Sequence, residues 1–244
     1  MENKSERHTG GEPDIFDQQG LSNALMEVAG TLQFFAVQIL SATVAGTFEN
    51  SFAGASVYAA EHARRLAGIL KHDPVRDIDA VAWSTRCLYE SRMLLFHVLN
   101  QPKPEAEALL KHWVNQGDVQ IAKTLTELYS DSESEKQRLA AELKQFGPAK
   151  MPKAMAELTG CLDEHRMVYG LLCLYTHPSK WLLFGDPSVA RDPQLTAVFC
   201  HRALYYLGEI HDAITYVVDH VGDDGIELPN AAEPESESQK HDGI

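Results

Sequence analysis

The sequence has little basic charge, few cysteines and almost none of the turn chemistry that joins β-strands. Only 21 of its 244 residues are Lys or Arg, against 35 Asp and Glu, a formal net charge of −14. A field of that sign repels nucleic acid and anionic lipid, which excludes a broad non-specific surface for either. The four cysteines, Cys87, Cys161, Cys173 and Cys200, form no Cys-x-x-Cys pair. Most lie in apolar stretches, where a free thiol behaves as a small hydrophobe. The first 20 residues hold no apolar run of the signal-peptide kind, so a reduced, cytoplasmic protein is expected. Asn-Gly is absent, and Asp-Gly occurs only at Asp224-Gly225 and Asp242-Gly243, with no alternating segments beside either. A β-rich fold is excluded on that ground.

Chemical signatures are also sparse. There is no Gly-rich phosphate loop, no Gly-x-Ser-x-Gly elbow and no Glu-x-x-His of a carboxylate-bridged di-iron bundle. Cys161-x3-His165 and Cys173-x3-His177 have ligand-compatible spacing. However, twelve residues separate the pairs by about 18 Å on one helix, too far to share a zinc ion. Neither a metal nor a cofactor is expected.

What is present is helical periodicity. The pattern predicts an all-α fold, a single bundle of about seven helices with disordered acidic termini. Helices are expected at about 21–47, 49–71, 77–99, 104–129, 132–147, 152–177 and 193–221. Asp77 or Asp79 caps the third, Gly117 breaks or bends the fourth, Ser132 and Glu135 form a capping box for the fifth, and Gly160 interrupts the sixth. Ala53, Gly54, Ala55, Ala59, Ala60, Ala63 and Ala67 let neighbours approach the second helix closely, which places it inside the bundle. Pro178 to Pro193 reads as a packed loop carrying Trp181, Leu182, Leu183 and Phe184.

The negative charge is concentrated at the ends. Residues 222–244 carry seven acids against Lys240, and residues 1–14 carry four acids against two bases. These tails therefore hold −8, and the helical domain, 15–221, holds −6. Disorder is expected for both tails. A body so mildly acidic accommodates a small Arg-lined anion site. Val28–Phe48 is 21 residues without a charge, long enough to span a bilayer, but Gln33 and Gln38 near its middle are costly there. A helix buried by neighbours or by a dimer partner is the expectation, and a membrane span the less favoured alternative.

Two helices carry candidate chemistry. In the third, Arg86 and Glu90 stand at i, i+4 among apolar neighbours, which suggests a partly buried ion pair. That pair is either a structural clasp between helices or an anion clamp in which Glu90 orients the Arg86 guanidinium. In the sixth, Tyr169 precedes Thr176-His177-Pro178-Ser179. A His at a helix end either caps carbonyls or serves a site. Helix 7 adds His201, Arg202, Tyr205, Tyr206, Glu209, His211 and Asp212, mixed faces suited to lining a pocket with the third helix, forming a dimer surface or facing solvent.

Arg86-x-x-x-Glu90, the Met151-Pro152 linker, and Tyr169 followed by Thr176-His177-Pro178-Ser179 resemble a family of bacterial all-helical proteins of unknown function. The resemblance covers about Ile78 to Ser179. It departs from the pattern where a Ser often precedes the His, since Cys173 and Tyr175 stand there. It implies a fold and a pocket of Arg86, Glu90, Tyr169 and His177, and no reaction. A wider resemblance is to the higher-eukaryote and prokaryote nucleotide-binding (HEPN) helical bundles, many of which are metal-independent ribonucleases with an Arg-x4-6-His motif. Arg92 and His97 match that spacing, although Met93 stands where active members place a polar residue. The resemblance implies a phosphate-stabilising Arg92 and His97 or His177 as general acid or base. A five-residue step puts Arg92 and His97 about 140° apart on a regular helix, so they converge only across a dimer or at a distortion.

Two expectations follow. The first is a dimeric, ligand-responsive or interaction module with a small anion pocket at Arg86, Glu90, Tyr169 and His177. The alternative is a HEPN-like ribonuclease acting on RNA, with Arg92, His97 and His177 as the catalytic candidates.

Overall fold

The computed structural model describes residues 17–44, 47–146, 152–176 and 191–219. Both tails, the Met151 end of the linker, His177 and most of the loop expected at 178–193 lie outside them. The described residues are helical, with no strand among them. The expected all-α bundle is therefore observed. Its elements are α1 (Gln18–Ala42), α2 (Phe48–Leu70), α3 (Ile78–Leu99), α4 (Lys103–Tyr129), α5 (Glu133–Phe146), α6 (Pro152–Leu158), α7 (Leu162–Glu164), a π-helical turn (His165–Tyr169), α8 (Gly170–Thr176) and α9 (Pro193–Asp219).

Local chemistry sets most of the boundaries. The Asp17 carboxylate accepts from the Gly20 amide and starts α1. Thr43 is extended and ends it, earlier than the expected Thr47. Thr47 instead caps α2 by accepting from the Asn50 amide. Ser132 accepts from the Glu135 amide, half of the expected capping box. Asp77 holds the cap position of α3, but its carboxylate bonds no helix amide. Its backbone, at φ −101° and ψ 31°, departs from the extended conformation that folds a capping side chain back onto the helix.

Gly117 does not break α4, which runs unbroken over 27 residues. One glycine costs a helix about 1 kcal/mol, which neighbouring turns absorb. The sixth helix is interrupted at Gly160, as expected. Gly160 adopts a φ of 71°, and the Cys161 amide returns to the Ala156 carbonyl at 2.8 Å, the closure of a glycine-terminated helix.

α2 lies inside the bundle, against α1, α3 and α9, as its small residues predict. Ala53, Ala59, Ala60, Ala63 and Ala67 are fully buried. Polar ties link the layers. Ser22 donates to the Ala67 carbonyl at 3.0 Å, joining α1 to α2. Thr85 donates to the Phe199 carbonyl at 3.2 Å, joining α3 to α9. Gln33 of α1 accepts from Arg64 of α2, which accounts for one glutamine in the uncharged stretch.

α1 is long and apolar enough to cross a membrane by length and composition alone. One side, with Leu25, Leu32 and Ala36, is buried on its neighbours, while Phe34 and Val37 on the other are exposed. α4 joins the core only through its first turns, at Ala106 and Leu110, with Lys103 paired to Glu49 of α2 at 3.1 Å. Its far half carries α5 and leaves Ile121, Leu125 and Leu128 exposed.

Candidate functional site

α3 is the organising element. It packs between α2, α8 and α9, and its two arginines, Arg86 and Arg92, reach different partners. The π-helical turn opposite it inserts an extra residue into one helical repeat. Such turns re-aim side chains and recur at functional sites. Here Glu164, just before the turn, bonds Arg92 and side chains of α9, while Tyr169 bonds Glu90.

The first cluster is the Arg86 clasp. Arg86 Nε donates to Glu90 Oε1 at 2.8 Å, and its Nη1 donates to Thr176 Oγ1 at 2.9 Å. Tyr169 Oη donates to the same Glu90 oxygen at 2.8 Å. The guanidinium stands over the Tyr169 ring, 5.4 Å from its centroid. The side chains of Arg86 and Glu90 remain 18% and 36% accessible. Burial opposes the Arg86 charge, but the Glu90 carboxylate outweighs it and holds the guanidinium pKa above its ordinary value. Burial, followed by the hydrogen bond to Glu90, pushes the Tyr169 phenol well above the usual tyrosine range. Tyr169 is therefore a donor that stays protonated at any physiological pH.

The second cluster encloses Arg92, whose side chain is only 5% accessible. It pairs with Glu164 at 3.1 Å and with Glu209 of α9, and its Nη2 faces the Cys161 sulfur at 3.7 Å. Phe96, Tyr205 and Tyr206 stack around the guanidinium at 5.0, 5.7 and 5.6 Å. Glu164 also accepts from Tyr206 at 3.0 Å and pairs with Arg202 at 3.2 Å, and Tyr205 donates to Glu209 at 2.9 Å. Against burial, Glu209 and then Glu164 hold the Arg92 pKa well above the ordinary arginine value.

Tyr89, fully buried, joins the two clusters. Its ring lies 5.2 Å from Tyr169 and 5.4 Å from Tyr206, and its hydroxyl meets His165 Nδ1 at 3.3 Å. His165 stacks on Tyr169 at 4.6 Å. Burial, aided by Lys153, lowers the His165 pKa, so the ring is neutral near pH 7.

A cleft of about 390 Å³ adjoins the Arg86 clasp, lined by Arg65 and Ile69 of α2, Asp79, Trp83 and Ser84 of α3, and Thr176 of α8. Thr176 belongs to both, since its hydroxyl receives Arg86 and its side chain borders the cleft. A second cavity, about 310 Å³, lies between α3 and α9 beside Phe96, Glu209 and Tyr216.

The structure brings three of the four expected pocket residues together: Arg86, Glu90 and Tyr169. His177 lies outside the described residues, directly after Thr176 in the chain. Arg92 and His97 are both buried, and they face different neighbours. Arg92 is held by Glu164 and Glu209, whereas the His97 ring lies 6.4 Å from Trp113 of α4. Among the described residues no group of three or more His, Cys, Asp or Glu is placed to hold a metal ion. The four cysteines form no disulfide.

Arg65 and Trp83 were not singled out by sequence pattern as site residues, and Asp79 was singled out only as a helix cap. Thr176 had one signal, its place in the Thr-His-Pro-Ser helix end. Glu209 and Tyr206 had another, on the mixed face expected to meet the third helix. Comparison with family models, curated proteins and solved structures returns no match to this chain.

Proposed function

We propose that the protein is a ligand-responsive binding module whose site is the Arg86 clasp, taking a small ligand with an anionic group. One observation carries this reading: Glu90 and Tyr169 orient a partly accessible guanidinium toward Thr176, on the rim of a cleft. A preorganised arginine with its carboxylate partner supplies directed donors without a rearrangement at binding. An incoming oxyanion takes the Nη1 hydrogen bond from Thr176, and Tyr169 keeps Glu90 in register.

The module acts in the cytoplasm as a homodimer. The outward face of α1 supports this, because it exposes Phe34 and Val37 and carries no charge from Val28 onward. Two acidic chains meet there without opposed charges. Light scattering should show a dimer for the wild type and a monomer for Phe34→Glu; a wild-type monomer at high concentration removes this part of the proposal.

The test of the site is thermal unfolding with inorganic phosphate, nucleotides and small carboxylates. The wild type gains several degrees with at least one of these, and Arg86→Ala gains none. No gain in the wild type, or an equal gain in the variant, rejects the reading. A ribonuclease using Arg92 with His97 or His177 is the competing reading. It has less support, because Glu164 and Glu209 already engage the Arg92 guanidinium. RNA cleaved by purified protein, and spared by His97→Ala, would restore it.

A further inference from the structure

The cleft beside the clasp has a charge arrangement of its own. α2 contributes Arg65 and, one turn on, Ile69. α3 contributes two adjacent stripes of its first turns, Asp79 with Trp83 and Ala80 with Ser84. α8 closes the cleft with Tyr175 and Thr176. The lining thus holds one cation, one anion, two aliphatic hydroxyls and an apolar wall. Neither Arg65 nor Asp79 makes an ion pair with another described residue. Trp83, a large indole, keeps 49% of its surface exposed.

We propose that this cleft binds a small zwitterion, a free α-amino acid with an apolar side chain. Its carboxylate pairs with Arg65, its ammonium with Asp79, and its side chain lies against Ile69, Ala80 and the Trp83 indole. Charge matching selects this class. A simple anion is opposed by Asp79, and a simple cation by Arg65 and by Arg86 behind Thr176. An uncharged ligand strips water from both charges and returns nothing to them. The volume agrees, since about 390 Å³ lies at the small end of ligand pockets and suits a molecule of amino-acid size. Serine and threonine hydroxyls supply the secondary hydrogen bonds that fix orientation in such sites.

The inference deepens the proposed function and rests on it through Thr176. A ligand carboxylate at this rim competes with the Thr176 hydroxyl for the Arg86 Nη1 donor, which couples occupancy to the clasp.

The experiment is calorimetric titration of the full chain with L-phenylalanine and L-leucine, and with two single-charge analogues, 3-phenylpropionate and phenethylamine. At least one amino acid binds, and both analogues bind at least tenfold more weakly. Arg65→Gln and Asp79→Asn each weaken amino-acid binding at least tenfold and leave the unliganded melting temperature unchanged, since both residues are exposed. Absence of binding by both amino acids overturns the proposal, as does 3-phenylpropionate binding as tightly as L-phenylalanine. Arg86→Ala separates this proposal from the one beneath it. Amino-acid binding that persists in that variant upholds the cleft and removes the clasp response. A phosphate response lost in Arg86→Ala, with no amino-acid binding, upholds the clasp and removes the zwitterion.

Discussion

Arg86 and Arg92 stand six residues apart on one helix and make the same kinds of contact, carboxylates and aromatic rings, with opposite consequences. Arg92 has two glutamates and three rings around it and almost no access to solvent. Among the described residues Arg86 meets one glutamate, one hydroxyl and one ring, and its side chain stays 18% accessible beside Thr176, which lines a cleft. A guanidinium enclosed by charged partners holds helices together. One that stays partly accessible keeps an edge toward solvent. Burial of the guanidinium, rather than the presence of an arginine, separates the two environments.

The largest effect that could break this contrast is removal of Arg92. Arg92→Ala leaves Glu209 without its cation and Glu164 with Arg202 alone. Loss of about 3–5 kcal/mol in urea unfolding is expected, as for one partner of a buried pair. A loss under about 1 kcal/mol would show the cage to be water-accessible and erase the distinction. Arg86→Ala should cost less, about 1–2 kcal/mol, because Glu90 is partly solvated, yet it should abolish the ligand-induced rise in melting temperature. A larger stability loss at Arg86 than at Arg92 would reverse the assignment of roles.

Tyr169→Phe sharpens the comparison further. It removes one hydrogen bond to Glu90 and keeps the ring beneath Arg86, so about 0.5–1.5 kcal/mol is expected, with weakened ligand response. The effect of pH is expected to be the broadest and shallowest. His165, between the two clusters, and His62, buried in α2 with Nδ1 unbonded, have pKa values lowered from the ordinary 6.5, chiefly by burial. The unfolded chain then binds more protons than the folded one below that pH. The stability from these neutral rings is complete above about pH 6.5 and falls as pH drops through the depressed values. Urea midpoints between pH 7.5 and 5 should decline, and His62→Gln should flatten the decline. Equal slopes in both proteins would remove His62 from this account.

How much was legible beforehand follows from sequence distance. Arg86 and Glu90 are one turn apart, so their ion pair could be read from spacing, and the span of α3 from its pattern and flanking prolines. Glu164 and Glu209 lie 72 and 117 positions from Arg92, and no local periodicity joins them. The same holds for Arg65 and Asp79, exposed residues on different helices that look like ordinary solubilising charges until a cleft brings them together. The π-helical turn was hidden as well, because His165 to Tyr169 suits a regular helix as readily. Gly117 misled for the converse reason: a local breaker was outweighed by the continuous helix around it.

By itself the sequence determined that this chain is helical, where most helices begin and end, and that Arg86 pairs with Glu90. These depend on turns, caps and periodicities that act within a few residues. Tertiary structure alone decided which arginine is sealed and which stays partly accessible. That outcome depends on how α3, α8 and α9 pack and on where the π-helical turn aims Glu164 and Tyr169. Burial and charge pairing between distant segments exist only once the helices have met.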